Sequence, residues 1–526
     1  MAVMDPSPAP LSFQLGGQPR SGGGAAAPQD VQPRQWQRQL IQLLRARLVQ
    51  ERPGGQDVLI HAGPGAGKTL GALLGFRQLQ REGRLQRFVV FCHRTSIGLQ
   101  WHQAANRLGL RLLNWEGVRS DSQAADGGDP AWDGLLLSYQ CAARHRRLLE
   151  RQGLGGTAGS WLAIADEVHH LGLDPEEPEA AAWGHAFSSL TASAALRLGL
   201  TGTPFRADNL AFCAARRELL RQGTEIVERI VPDLCVEPRQ LISAGDVRPL
   251  EFRFQDGWVD HGRPAADGDG SGDSETSPLS AESRESWRAR NLRRAIRLGD
   301  GSSIALRLLL GARRRLEQLR QQQHPGAGGL VIARDIAHAE QISALLREQG
   351  DAVHLVHSQD PGAAERLAAF RSGQADWLVS IDMCAEGFDA PRVRVVAYLT
   401  TVVTRSRFVQ AITRAVRMDG DRAREEPVPR LASYVYAPAD PLLIHYARSW
   451  SLSEPYLLSC RQASFSGPGH GLAAARAVPL QAIDERAGAL LRVRGPELPP
   501  FVQPPSARQK SAQQTRVPAQ THHKRS

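Results

Sequence analysis

The sequence predicts an α/β fold built from two consecutive parallel-sheet units, on three observations. Short apolar runs alternate with longer helix-like stretches twice over, from about residue 31 to 245 and again from about 301 to 440. A glycine-rich turn, Ala62-Gly63-Pro64-Gly65-Ala66-Gly67-Lys68-Thr69, joins the first apolar run to a helical stretch. The chain has 526 residues, of which 42% are hydrophobic and 22% charged, enough to bury large cores without covalent staples. No uninterrupted apolar run approaches the length of a membrane span, and the first residues lack the pattern of a signal peptide. The six cysteines are scattered without a C-x-x-C pair, so they read as reduced thiols. A cytoplasmic protein with no membrane partner is the expectation.

Residues 1–30, rich in Pro, Gly, Ala and Ser, are expected to be a disordered lead. In the first unit, 31–245, Val58–Ile60, Phe88–Phe91, Leu135–Leu137 and Leu162–Ala165 read as buried parallel strands. Residues 246–300 read as a linker with a polar, acidic insert carrying Asp267, Asp269, Asp273 and Glu275. The second unit, 301–440, opens with a helix from Ser303 to about Gln323 and contains strands at Gly329–Ala333 and Trp377–Ile381. Residues 441–505 form an extension of ambiguous pattern. Residues 506–526 are basic and free of acids, and are expected to be a disordered tail that either touches phosphates or merely solubilises the terminus.

The net charge of +10 favours a polyanionic partner, and its make-up is unusual. Of 64 basic residues only Lys68, Lys510 and Lys524 are lysines. Lysine is retained at position 68, where a compact ammonium suits a phosphate cradle and a planar guanidinium does not. Around it the glycines let backbone N–H groups converge on phosphate oxygens at a helix N-terminus. Lys68 would serve the β and γ phosphates, and Thr69 would place its hydroxyl on Mg²⁺. A second carboxylate-bearing loop follows the strand Leu162–Ala165: Asp166 to hold Mg²⁺ and Glu167 to orient or deprotonate the attacking water. His169 and His170 beside them lack a third ligand at useful spacing, so no zinc is expected.

These residues resemble the superfamily two DEAD/DEAH-box (DExH) helicases and translocases, in particular the branch that includes restriction-enzyme motor subunits, over about residues 31–440. The first motif of that family tolerates alanine at Ala62. Gln37 lies where the family contacts adenine, although Gln35-Trp36-Gln37 is equally an ordinary start of an amphipathic helix. Asp166, Glu167 and His169 match the second motif, and Thr201-Gly202-Thr203-Pro204 matches the third, which implies coupling through His169, Thr201 and Thr203. Ile381–Pro391 resembles the fifth motif, placing Gly387 and Asp389 near nucleotide. Gln410, Arg414 and Arg417 match the sixth, and at i, i+4 and i+7 they would share about 60° of helix surface and reach one phosphate together. An arginine offered across a domain boundary would complete the site on closure. The chain departs from the family at Thr413, where glycine is usual, and at His93, where proline is usual.

The resemblance implies two tandem RecA-like P-loop NTPase domains with parallel sheets, ATP and Mg²⁺ as cofactors, and nucleic acid as partner, DNA rather than RNA. Contacts to nucleic acid would fall to Arg94, to Tyr139, which alternatively just packs, and to the region of Arg334. The implied activity is ATP-dependent strand separation or translocation. Its rival is an ATP-gated clamp or remodelling protein that separates no strands. A small-molecule phosphotransferase is disfavoured because it would not need arginines from a second domain.

Overall fold

The computed structural model describes residues 31–49, 56–93, 95–115, 132–154, 159–171, 179–202, 217–222, 225–262, 274–381, 388–450, 458–459 and 481–494. The expected lead 1–30, the basic tail 506–526 and most of the acidic insert lie outside them. Helix α1 (Gln35–Val49) precedes a seven-stranded sheet. Its strands are β1 (Asp57–Ala62), β2 (Arg87–Cys92), β3 (Leu112–Asn114), β4 (Gly134–Ser138), β5 (Trp161–Asp166), β6 (Leu196–Thr201) and β9 (Leu234–Val236). The order is β3-β4-β2-β5-β6-β1-β9, with every pairing parallel. All residues of β1, β5 and β6 are buried, which is why Val58–Ile60 and Leu162–Ala165 read as apolar runs, while β1 and β6 also bring Asp57, His61 and Arg197 inside. Between β6 and β9 an antiparallel pair, β7 (Arg217–Gln222) and β8 (Glu225–Ile230), forms a small separate sheet with β17 (Leu458–Ser459).

Inside the first sheet Asp57 and Arg197 make a bidentate ion pair, Nε to Oδ1 at 2.6 Å and a terminal nitrogen to Oδ2 at 2.7 Å. Both side chains are nearly sequestered from water. Asp57→Ala would remove the carboxylate that answers this buried guanidinium bidentately, and a loss of up to about 3–5 kcal/mol is expected, read as a lowered denaturant midpoint.

The second sheet is mainly parallel and runs β11 (Ser274–Pro278), β10 (Leu250–Gly262), β16 (Ser433–Pro438), β15 (Val393–Leu399), β12 (Gly328–Ala333), β14 (Trp377–Ser380), β13 (Val353–Val356). Strand β18 (Gln481–Arg494) pairs antiparallel along β10. Two parallel α/β sheets with tandem RecA-like organisation therefore stand as expected, and the strands at Gly328–Ala333 and Trp377–Ser380 fall where the apolar runs put them. The helix Ile304–Gln322 also forms, started by Ser303, whose hydroxyl accepts from Leu306 N. The difference lies at the margins. Leu250–Gly262, inside the segment expected as linker, is the longest strand but one, and part of the extension 441–505 is the strand that covers its edge. Phe252, Phe254 and Val259 are buried in β10, so the strand contributes core and cannot behave as a tether. Among the described residues no helix is long and apolar enough to cross a membrane.

Candidate nucleotide site

The loops of the first three motifs leave the first sheet at the C-terminal ends of β1, β5 and β6, the usual place for a ligand crevice in a parallel sheet. β6 lies between β5 and β1, so Thr201 and Gly202 stand between Glu167 and Lys68. The phosphate loop turns through Gly65 and Gly67, each at φ +79°, into helix α2 (Lys68–Arg81), with Lys68 and Thr69 as its first residues. Its carbonyls face outward and are held by the start of α1. Arg34 donates to Gly65 O at 2.8 Å, the Trp36 indole to Ala66 O at 3.1 Å, and the Gln37 amide to Gly67 O at 3.1 Å. With three carbonyls tied back, the loop N–H groups are left to converge on the other side.

This arrangement corrects the adenine assignment of Gln37. The side chain is buried, its NH₂ donates to Gly67 O and its oxygen accepts from Arg34 N at 2.9 Å, so in this structure Gln37 braces the phosphate loop. Gly63 donates to Val236 O, and a Cβ there would lie 2.9 Å from Pro238, which explains the glycine.

Asp166 ends β5, and Glu167 follows at φ +51°, the one non-glycine residue with positive φ among those described. A glutamate in this region costs of order 1–2 kcal/mol, and the turn swings its carboxylate towards Lys68, 3.3 Å away. Gly202 N also donates to Glu167, at 3.3 Å, and His169 Nδ1 lies 2.8 Å from Thr201 Oγ1 and 3.5 Å from the Glu167 carboxylate. Burial alone would raise the pKa of Glu167, but Lys68, His169 and the Gly202 N–H outweigh it and hold the group well below the usual carboxylate range. Asp166 shifts the other way, because burial and the neighbouring Glu167 charge both oppose its ionisation. The Trp101 indole donates to Asp166 Oδ2 at 2.8 Å. Trp101 and Arg34 are functional neighbours that no local pattern announces, since each acts on a residue far away in the chain.

His61, buried on β1 beside Lys68, is pushed down to about 4, first by burial and then by the lysine charge. The unfolded chain therefore binds the extra proton first, and stability is expected to fall as pH drops from about 6.5 towards 4. His61→Asn should flatten that part of a stability-against-pH curve measured by denaturation.

Tyr139 is also corrected. It is fully buried, and its hydroxyl donates to Asp166 O at 2.9 Å, so it props the carboxylate loop and meets no nucleic acid. Arg94, Thr203 and Gly387 lie outside the described residues. His93 takes the place of proline by stacking on His170, ring centroids 4.1 Å apart.

In the second unit the sixth motif differs from its expected helical stripe. The helix ends at Ile412, and residues 413–416 continue as tight turns in which Arg414 N bonds Ala411 O and Ala415 N bonds Ile412 O. The α-helix itself therefore carries only Gln410, and Arg414 and Arg417 are placed by the turns that follow it. Arg414 is buried and donates to Phe388 O at 2.6 Å, while Arg417 lies 2.7 Å from Asp389 Oδ1. The Asp389 carboxyl is held low despite its burial by Arg417, Arg414 and Arg371. The Gln410 amide oxygen is buried with no hydrogen-bond partner among the described residues. Thr413 fits because its hydroxyl donates to Val409 O at 2.6 Å.

The two units meet at the phosphate loop. A Cβ on Gly65 would lie 2.8 Å from Val247 Cγ1, 3.4 Å from Val416 Cγ2 and 3.8 Å from Arg417 Cγ. Three consecutive residues bind this junction: Asp246 pairs with Arg34, Val247 covers Gly65, and Arg248 N donates to Val416 O.

Residues 30–206 match the family of the type III restriction enzyme res subunit, and residues 311–419 match the helicase conserved C-terminal domain. An uncharacterized protein of Mycobacterium tuberculosis is 30% identical over 451 residues, covering 84% of this chain and 67% of that one. The chain belongs to the superfamily two helicases, in their restriction-subunit-like branch. An uncharacterized protein of Mycobacterium leprae is 30% identical over 395 residues, covering 74% of this chain and 61% of that one. The chain thus spans about two thirds of the length of these curated relatives. A fragment structure described as an HsdR subunit of a type I restriction enzyme from Vibrio vulnificus aligns with a TM-score of 0.49 at 17% identity, over 80% of this helicase and 67% of that chain.

Proposed function

We propose that this helicase-family chain hydrolyses ATP between its two units to move along nucleic acid, DNA rather than RNA. The single observation that carries the reading is the closeness of Val416 and Arg417, from the second unit, to Gly65 of the phosphate loop, where an added Cβ would lie 3.4 Å and 3.8 Å from them. A nucleotide held there would touch both units, and its turnover would change how they sit together. The residues fit ATP with Mg²⁺: outward carbonyls already satisfied, two glycines at positive φ, a lysine and two carboxylates. Thr69 and Asp166 would hold the metal, which supplies charge neutralisation at the phosphates.

Lys68 is paired with Glu167 in this structure. A γ-phosphate would compete for the ammonium and release the glutamate to orient and deprotonate water. Arg417 would leave Asp389 to meet charge developing in the transition state, and the Gln410 amide oxygen would accept a hydrogen bond from the attacking water. His169, bonded to Thr201, would carry the state of Glu167 to the loop after β6.

The test is the ATP turnover rate measured in parallel without polymer and with single-stranded DNA, duplex DNA and RNA. Stimulation by DNA of at least about ten-fold is expected; a rate indifferent to every polymer would favour a phosphotransferase and defeat the reading. The rival clamp is separated by a strand-displacement assay, in which ATP turnover without product strands would select it.

A further inference from the structure

Two arginine-lined cavities open in the second unit. One, of about 330 Å³, contains Arg334 together with Arg294, Arg297 and Glu485. Arg334 is paired with Asp335 and Arg294 with Glu485, so much of its charge is answered internally. The other, of about 230 Å³, lies between the helix Ile304–Gln322 and the sheet, and is lined by Arg253, Arg307, Arg314, Arg315, Gln318 and Tyr436. Positions 307, 314, 315 and 318 fall at i, i+7, i+8 and i+11, one face of a helix. Gly311 lets that face approach the sheet, since a Cβ there would be 3.3 Å from the Tyr436 ring.

The charges in this cleft are poorly answered. Arg253 pairs with Glu251 at 2.9 Å and donates to the Tyr436 hydroxyl at 3.3 Å. Arg315 lies over the Tyr434 ring at 4.4 Å, and Arg307 donates to Gly301 O at 3.0 Å. Among the described residues no carboxylate pairs with Arg307, Arg314 or Arg315. Four guanidinium groups thus face one carboxylate, and two are pre-oriented against tyrosine rings, an arrangement suited to planar recognition of phosphate oxygens. Arg307 also bonds the very turn that borders the first cavity, so cationic groups extend from one cavity to the next. That spread matches a repeating polyanion better than a lone anion.

The cleft is separate from the nucleotide site. Arg253 alternates along β10 with Phe252 and Phe254, and Phe252 packs on Phe408 of the helix Arg405–Ile412. The arginine motif of the nucleotide site follows that helix, so the cleft opens on the opposite face of the sheet.

We propose that this cleft is a second nucleic-acid site, holding the phosphodiester backbone on the flank of the second unit; the proposal rests on the reading of nucleic acid as partner. The test is a salt titration of duplex DNA binding by the full chain. Arg307→Ala/Arg314→Ala should lower the slope of log affinity against log salt by up to about 1.8, at about 0.9 per phosphate contact. Arg307→Lys/Arg314→Lys should keep the slope, and ATP turnover at saturating polymer should be unchanged in both. An unaltered slope in the alanine variant, with wild-type binding intact, overturns the cleft alone. Inorganic tripolyphosphate is the control: binding of it that the alanine variant loses, while the duplex slope stays put, would show a small-anion site and also overturn the proposal. A wild-type chain that binds no duplex would defeat the functional reading and this proposal together.

Discussion

Glu167→Gln should leave ATP bound and unhydrolysed, with turnover reduced by about a hundred- to ten-thousand-fold, the usual worth of a positioned general base. The amide keeps the shape and can still meet Gly202 N, so the loop should hold. Lys68→Ala should act differently: it removes the ammonium that neutralises both Glu167 and the phosphates, so nucleotide binding weakens and turnover disappears. Nucleotide-binding titrations alongside single-turnover hydrolysis separate the two. Wild-type turnover in the Glu167→Gln protein would remove that residue from the chemistry.

Arg417→Ala should cut polymer-stimulated turnover by at least about a hundred-fold while ATP affinity stays within several-fold, because an arginine finger acts chiefly in the transition state. Lysine should not restore the rate, since it lacks the planar fork. Arg414→Ala should also lower turnover, but with an accompanying loss of stability, because its buried guanidinium holds Phe388 O. Steady-state kinetics with a denaturation curve for each variant distinguish the finger from the brace. Full stimulation in Arg417→Ala would mean that the second unit does not complete the site.

Much of this was legible in the residues themselves. The buried parallel strands declare themselves because both faces are apolar, and the Lys68 and Glu167 loops because the chemistry of phosphate demands those residue types. What escaped has identifiable causes. β10 carries a two-residue alternation, Phe252 and Phe254 against Arg253 and Gln255, that polar neighbours disguise as linker. β18 is rich in Ala, Arg and Leu, which favour helix in isolation, and becomes a strand only because β10 offers an edge. The arginine stripe assumed an α-helix beyond Ile412, whereas turns place Arg414 and Arg417. Tyr139 and Gln37 were drawn inward by partners about 30 residues away in sequence, which no local spacing encodes.

The pairing of β18 with β10 also sets a timetable during synthesis. The ribosome completes β10 roughly 200 residues before β18. At about 5–20 residues per second, the outer edge of β10 waits on the order of 10 to 40 seconds for its neighbour. Through that interval a long strand with Phe252, Phe254 and Val259 on it presents unpaired N–H and C=O groups, a template for another nascent chain on the same polysome. A chain halted before residue 481 keeps that edge for good, and its yield as a soluble product depends on whatever else reaches the edge first.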